Sequence, residues 1–196
     1  MLKLLDMSER VLVLTLFALF CVANFHSHNL YNLPMLLSEL MTAVLILARR
    51  STEAVSRSPS DWAFAFVGTT AALLARPGGD HPINVAAGVG LVMAGTCLAL
   101  AAKVSLNRSF GLAPANRGVK SRGAYAFMRH PMYLGYMVSQ VGFMLLNPTW
   151  RNALLYAVVW SVQVARIVRE ERWLSADPEY RAYAHQVRFR LIPGAF

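Results

Sequence analysis

Charge is in short supply in this sequence. Only 15% of its 196 residues are charged, and acids are the scarcer half, with 10 Asp and Glu against 19 Lys and Arg. A soluble domain carries about 25% charged residues. Together with 56% hydrophobic residues and a mean hydropathy of +0.42, the deficit excludes an ordinary soluble globule and points to an integral membrane protein. Cysteine is nearly absent: Cys21 and Cys97 both lie inside apolar runs. With neither metal-ligand spacing nor a disulfide framework, they read as small hydrophobic fillers. No internal repeat or low-complexity tract breaks the chain. The N-terminus, "MLKLLDMSERVLVLTLFALFCVANF", starts basic and apolar, but no small-residue cleavage site precedes the polar "HSHN", so an uncleaved first span is predicted. A net charge of +9 would suit nucleic acid, yet no aromatic-interleaved basic patch on a soluble fold supports that, and no nucleic-acid partner is expected.

What is present is a series of apolar segments: Val11–Phe25, Leu33–Ala48, Trp62–Ala75, Ile83–Val104, Met132–Leu146 and Asn152–Ile167. Several are nearer 15 residues than the ~20 that cross a bilayer, so one pair could dip rather than span. The positive-inside rule orders them. With the N-terminus cytoplasmic, every lysine and arginine except Arg76 and Arg151 falls on the inner side. That partition predicts an all-α polytopic membrane bundle of about six spans with both termini cytoplasmic. Residues 1–104 would form about four N-terminal spans, and residues 105–196 a C-terminal half made of a cofactor loop, a helical hairpin and a cytoplasmic cap. The basic residues beside the inner leaflet would also attract anionic headgroups, so membrane lipids are expected partners.

Polar chemistry gathers in two inner segments that flank the last hairpin, "SLNRSFGLAPANRGVKSRGAYAFMRHP" and "RIVREERWLSADPEYRAYAHQVRFRLIPGAF". Each has too few apolar residues for its own core, which predicts a cap shared between them. In the first, Gly111, Gly118 and Gly123 permit positive φ and close backbone approach. Pro131 suits the first helical position and biases His130 toward extended backbone. The helix after it then opens with free N–H groups, a seat for a carboxylate or phosphate, ringed by Arg129, His130 and Tyr133. An interfacial anchor explains the same residues, since Tyr and Arg favour headgroup depth. In the second segment, Arg166 and Glu170 are four apart and share a helix face. Glu170 and Glu171 stand among Arg166, Arg169 and Arg172, where a solvated ion-pair ladder competes with a functional site. Asp177-Pro178 should start a short final helix carrying Tyr180 and Tyr183. Glu39 is the lone carboxylate within an apolar segment, and an intramembrane acid is by default a candidate for function, here in contact with substrate. His26 and His28 lack a nearby Cys or carboxylate and read as polar loop rather than metal ligands.

The block "NRGVKSRGAYAFMRHPMYLGY", followed one hairpin later by "RIVREERWL" and "DPEYRAYAHQVRFRLIP", resembles the isoprenylcysteine carboxyl methyltransferase family and its bacterial phospholipid-methyltransferase-like relatives. The resemblance covers about Ser105–Pro193. It implies a small helical membrane bundle whose C-terminal half encloses S-adenosylmethionine on the cytoplasmic side. It further implies that Tyr125, His130, Tyr133, Arg117 and Glu171, with backbone around Val119 and Lys120, contact that cofactor. Arg166 and Glu170 would stand at the reacting end, and a lipophilic or lipid-modified acceptor would enter from the bilayer. Two departures bear on the acceptor: Arg117 stands where prenylcysteine enzymes commonly have histidine, and the usual Phe-Gly after Glu-Glu is absent. Two other classes compete with a membrane methyltransferase. One is a nicotinamide-dependent reductase of the membrane steroid-reductase type, which needs a larger pocket. The other is a non-enzymatic transport accessory.

Overall fold

The computed structural model describes residues 2–25, 33–48, 56, 58–76, 78, 81–111, 115, 117–192 and 194. His26, His28, Arg49, Arg50, Arg57, Gly79 and Pro193 lie outside them. Glu39 falls within a described helix, but its side chain is outside the described residues. Among the described residues the chain is all-helical, with no strand: α1 (Leu2–Phe25), α2 (Leu33–Ala48), α3 (Pro59–Thr70), α4 (Val85–Leu106), α5 (Pro131–Leu146), α6 (Trp150–Leu174) and α7 (Pro178–Gln186), joined by short 3-10 turns. Each apolar segment read from the sequence coincides with a helix. One described segment, Val85–Ser109, is long and apolar enough to cross a membrane.

Local chemistry sets the helix starts. The side chains of Asn84, Thr149 and Asp177 accept hydrogen bonds from the first-turn amides of Ala87, Asn152 and Glu179, as N-caps do. Pro59, Pro131 and Pro178 sit at first-turn positions where the missing N–H costs nothing.

The most extensive helix pairing is α4 against α5. Glycine makes it close: a Cβ on Gly135 would come within 2.6 Å of the Ala99 amide nitrogen and 2.7 Å of the Gly95 carbonyl oxygen. Small residues that let backbones touch are the usual contact between helices in lipid, where the hydrophobic effect supplies no drive between them. Outward, the bundle remains apolar. Val11, Leu19 and Val22 on α1, Leu40, Val44 and Leu47 on α2, and Leu154, Val158 and Val164 on α6 are all exposed. Apolar faces of that extent suit hydrocarbon rather than water. Lys103, counted among the inner-side basic residues at the end of the Ile83–Val104 segment, is fully buried in the last turn of α4, its Nζ 5.3 Å from the centroid of the Tyr136 ring, an attractive cation–π contact.

The shared cap is present. Tyr125 from the loop before α5, Ala102 from α4, and Tyr180 and Tyr183 from α7 form one buried cluster, packed against Leu106, Val119, Met132 and Leu174. The tail after α7 returns to the mouth of α5, where the amides of Arg129 and His130 donate to the carbonyls of Phe189 (2.9 Å) and Arg190 (2.8 Å). Neither segment builds this core alone; it forms because the hairpin brings the two together.

Candidate active site

The site lies where α5 begins. Pro131 is the first helical residue, and His130 before it is held off helical geometry at φ −129°, ψ 54°. Its imidazole turns toward α6, with Nε2 3.1 Å from Glu171 Oε1. Glu171 is a hub. Arg190 Nε donates to its Oε2 at 2.8 Å, Arg129 Nη1 stands 3.2 Å from the same oxygen, and Tyr180 Oη donates to Oε1 at 3.4 Å. Burial by itself would raise the pKa of this carboxyl. The hydrogen bonds from His130 and Arg190 and the charges of His130 and Arg129 overcome that and hold it at about 2. An ionised carboxylate only accepts, so the His130 Nε2 facing it is the protonated ring nitrogen.

One residue earlier, Glu170 points the other way. It lines a cavity of about 90 Å³, open on one side, and its Oε2 accepts from the Tyr133 hydroxyl at 3.3 Å. Gly118 and Gly123 adopt positive φ, 94° and 65°, which lets the loop turn so that Arg117, Val119 and Lys120 line the cavity. Tyr125, Tyr133, Tyr180 and Tyr183 supply the aromatic walls. Burial pushes the phenols of Tyr125, Tyr180 and Tyr183 upward, that of Tyr183 to about 12, so each is a neutral hydroxyl. The Tyr183 hydroxyl is taken by the Tyr125 carbonyl at 2.8 Å, which ties α7 to the loop.

The predicted site residues therefore separate into three places. Arg117, Val119, Lys120, Tyr125, His130, Tyr133 and Glu170 line the cavity. Glu171, expected at the cofactor, is not among the lining residues; it sits behind them and fixes His130, Arg129 and Tyr180 by charge-assisted hydrogen bonds. Arg166, expected at the reacting end, also lies beyond the lining. Its guanidinium rests over the far side of Tyr133, 5.4 Å from the ring centroid, and is backed by α3, since a Cβ on Gly68 would come within 2.9 Å of Nη1. Arg166 and Glu170 thus converge on one ring. Tyr180 and Tyr183 line the cavity without having been assigned a contact there from the sequence. Their three-residue spacing on a short helix capped by Asp177 was the available signal.

The described residues thus form an apolar-faced helical bundle with a tyrosine-walled cavity at a helix mouth, bordered by Glu170, Arg117, Lys120 and Arg129, an arrangement of the membrane-protein class. Known proteins refine the class. Residues 83–177 match the phospholipid methyltransferase family. The chain is 34% identical over 110 residues to protein-S-isoprenylcysteine O-methyltransferase A of Arabidopsis thaliana, covering 51% of this chain and 55% of that protein. It is 30% identical over 107 residues to protein-S-isoprenylcysteine O-methyltransferase of Schizosaccharomyces pombe (strain 972), covering 50% and 45%. These matches support a likeness of the C-terminal half of the chain to the isoprenylcysteine carboxyl methyltransferase-like family. The chain spans about half the length of the curated relatives it matches.

Proposed function

We propose that this protein is an integral-membrane methyltransferase that uses S-adenosylmethionine to methylate a lipophilic or membrane-embedded acceptor. It would be a multi-pass protein of about six crossings, with the cap on the cytoplasmic side, residues 1–104 forming the spanning half and residues 105–196 the methyltransferase half. The observation that carries this reading is the cavity at the mouth of α5. There Tyr125, Tyr133, Glu170 and basic groups from the segment that matches a methyltransferase family converge with Tyr180 and Tyr183, which follow it.

The lining fits the cofactor by chemistry. Aromatic faces and Glu170 attract a sulfonium. Arg117 and Lys120, with the amides that open α5, suit its carboxylate. Ligand pockets for molecules of that size are typically ~300–1,000 Å³, so a cavity of about 90 Å³ would hold part of the molecule and leave the rest in its open side. A dinucleotide would overrun it further, which counts against the reductase reading.

S-Adenosylmethionine, when bound, supplies an electrophilic methyl group. The chain's own task is alignment, which provides most of the acceleration for such a transfer. Tyr133 is the centre of that task, because its hydroxyl is held by Glu170 and its ring is backed by Arg166. Arg166, on the bundle side of Tyr133, would hold an anionic acceptor through a forked pair of hydrogen bonds. Glu170 would keep Tyr133 oriented, and would take the proton released by a neutral acceptor.

The test is ligand binding by the detergent-purified full chain. Saturable binding of S-adenosylmethionine is expected, weakened at least tenfold by Tyr133→Ala and by His130→Ala. Tyr133→Phe, which keeps the ring and loses only the bond to Glu170, should bind nearly as well. Binding of NADPH in place of S-adenosylmethionine overturns the proposal in favour of a reductase, and binding of neither favours a non-enzymatic role.

A further inference from the structure

Beyond the cavity, the cap and the hairpin turn, α6 buries a polar group that none of them uses. Gln163 is 2% exposed, and its Oε1 makes no hydrogen bond. It belongs to the stripe that α6 buries, which runs Tyr156, Val159, Gln163, Ile167, Glu171. The stripe faces α5 on both sides of it: Tyr156 meets Phe143 edge-on at 6.1 Å, and Ile167 packs with Tyr133. On α5, the Gln140 Oε1 accepts from Trp160 Nε1 at 2.7 Å, so the indole N–H that α6 carries three residues before Gln163 is directed to Gln140. Arg166 is three residues further along α6, so its side chain and that of Gln163 are neighbours on the helix surface.

A buried carbonyl oxygen without a donor is uncommon in folded proteins. Inside an apolar bundle no bulk water relieves it, and polar groups placed there tend to serve function. We infer that Gln163 is the specificity contact for the methyl acceptor. Its Oε1 receives a hydrogen bond from an N–H or O–H that the acceptor carries beside its methyl-accepting group, one helical turn deeper in the bundle than Arg166. The inference rests on the methyltransferase reading and narrows its acceptor to lipids with a hydrogen-bond donor flanking the reacting group.

The names of the relatives suggest a matched pair of probes: an N-acetylated S-isoprenylcysteine, and S-isoprenyl-3-mercaptopropionate, which has the same carboxylate and chain but no amide N–H. The unmodified protein should methylate the first with a kcat/KM roughly tenfold higher, the discrimination one such hydrogen bond supplies. In Gln163→Leu that ratio should fall to about one while the affinity for S-adenosylmethionine is unchanged. Because the ratio is taken within one preparation, partial loss of folded protein cancels from it. An unmodified protein that does not distinguish the probes, or a Gln163→Leu variant that keeps the preference, overturns the inference. So does methylation of neither probe by a chain that binds S-adenosylmethionine, an outcome that leaves the cofactor assignment standing. Failure of the unmodified chain to bind S-adenosylmethionine sinks the underlying reading instead.

Discussion

At the turn of the α5–α6 hairpin, Asn152 is buried and fully engaged. It accepts from the Arg76 amide and donates to the carbonyls of Arg76 (2.9 Å) and Asn147 (3.1 Å), while Asn147 Oδ1 accepts from Gly78. At the open end of the same hairpin, His130, Arg129, Glu170 and Glu171 are as polar and nearly as hidden, but they are layered. Glu171 faces its partners, and Glu170, one residue away, faces a cavity. Both ends contain buried polar side chains joined by hydrogen bonds to distant parts of the chain. What separates a clasp from a site is the second layer, in which charged and aromatic groups are held by neighbours and still border space.

Removing the hub should have the largest effect. Glu171→Ala leaves Arg129, His130 and Arg190 without their shared carboxylate, and breaking a buried ion pair from one side costs about 3–5 kcal/mol. Thermal melting should show a large loss of stability, with the cap opening first, and S-adenosylmethionine binding should disappear with it. Hydrogen exchange that left the amides of Arg129 and His130 protected would contradict this hub role.

Glu170→Gln is the contrasting change in the cavity-facing layer. It keeps the shape and the capacity to accept from Tyr133 but removes the charge. Turnover should fall about 100-fold, the scale of a lost general base or electrostatic contact. Melting temperature and cofactor affinity should move little. Equal damage to binding and turnover would show that Glu170 and Glu171 act as one unit, and the distinction between layers would fail.

Most of the scaffold was legible because apolar runs mark helices and prolines mark their starts, as "RHPMY" does at α5. The cavity lining was legible where the resemblance placed residues on a loop with obligatory glycines. The difference between Glu170 and Glu171 was not. Adjacent helix residues point about 100° apart, and nothing local says which of them meets the cavity. Nor could sequence show that Gly68, outside the family-matched segment, backs Arg166, or that Tyr180 and Tyr183 would be folded under by Asp177 to wall the cavity. Those depend on how α3 and α7 dock, and docking is set by long-range packing that a linear pattern does not encode.

The turn end supplies the control. Asn152→Ala deprives two carbonyls and one amide of their partner in a site that is 1% exposed, and should cost about 2 kcal/mol of stability. Cofactor affinity and turnover per folded molecule should not change, since Asn152 lies at the end of α6 remote from Glu170. A specific fall in kcat at constant stability would mean that the two ends communicate along the hairpin, which the layered arrangement does not require.

Acid provides the gentlest probe of the same contrast, because the open end titrates through Glu171 and the clasp at the turn is built from amides. The folded carboxyl is held at about 2 against an ordinary value near 4.5, so between those limits the unfolded chain binds the extra proton. Its contribution is therefore complete above about pH 4.5 and declines as pH falls toward 2. From pH 7 to pH 4 the loss from this group alone is on the order of 1 kcal/mol by linkage. Other carboxylates add to the total slope, so the quantity to measure is the difference between the unmodified protein and Glu171→Gln in detergent melts across that range. The unmodified protein should lose more stability on acidification, and Asn152→Ala should show the unmodified slope displaced downward. Parallel curves for the unmodified protein and Glu171→Gln would mean that the Glu171 carboxyl titrates as it does in the unfolded chain, and that the hub is held by shape and hydrogen bonds rather than by charge.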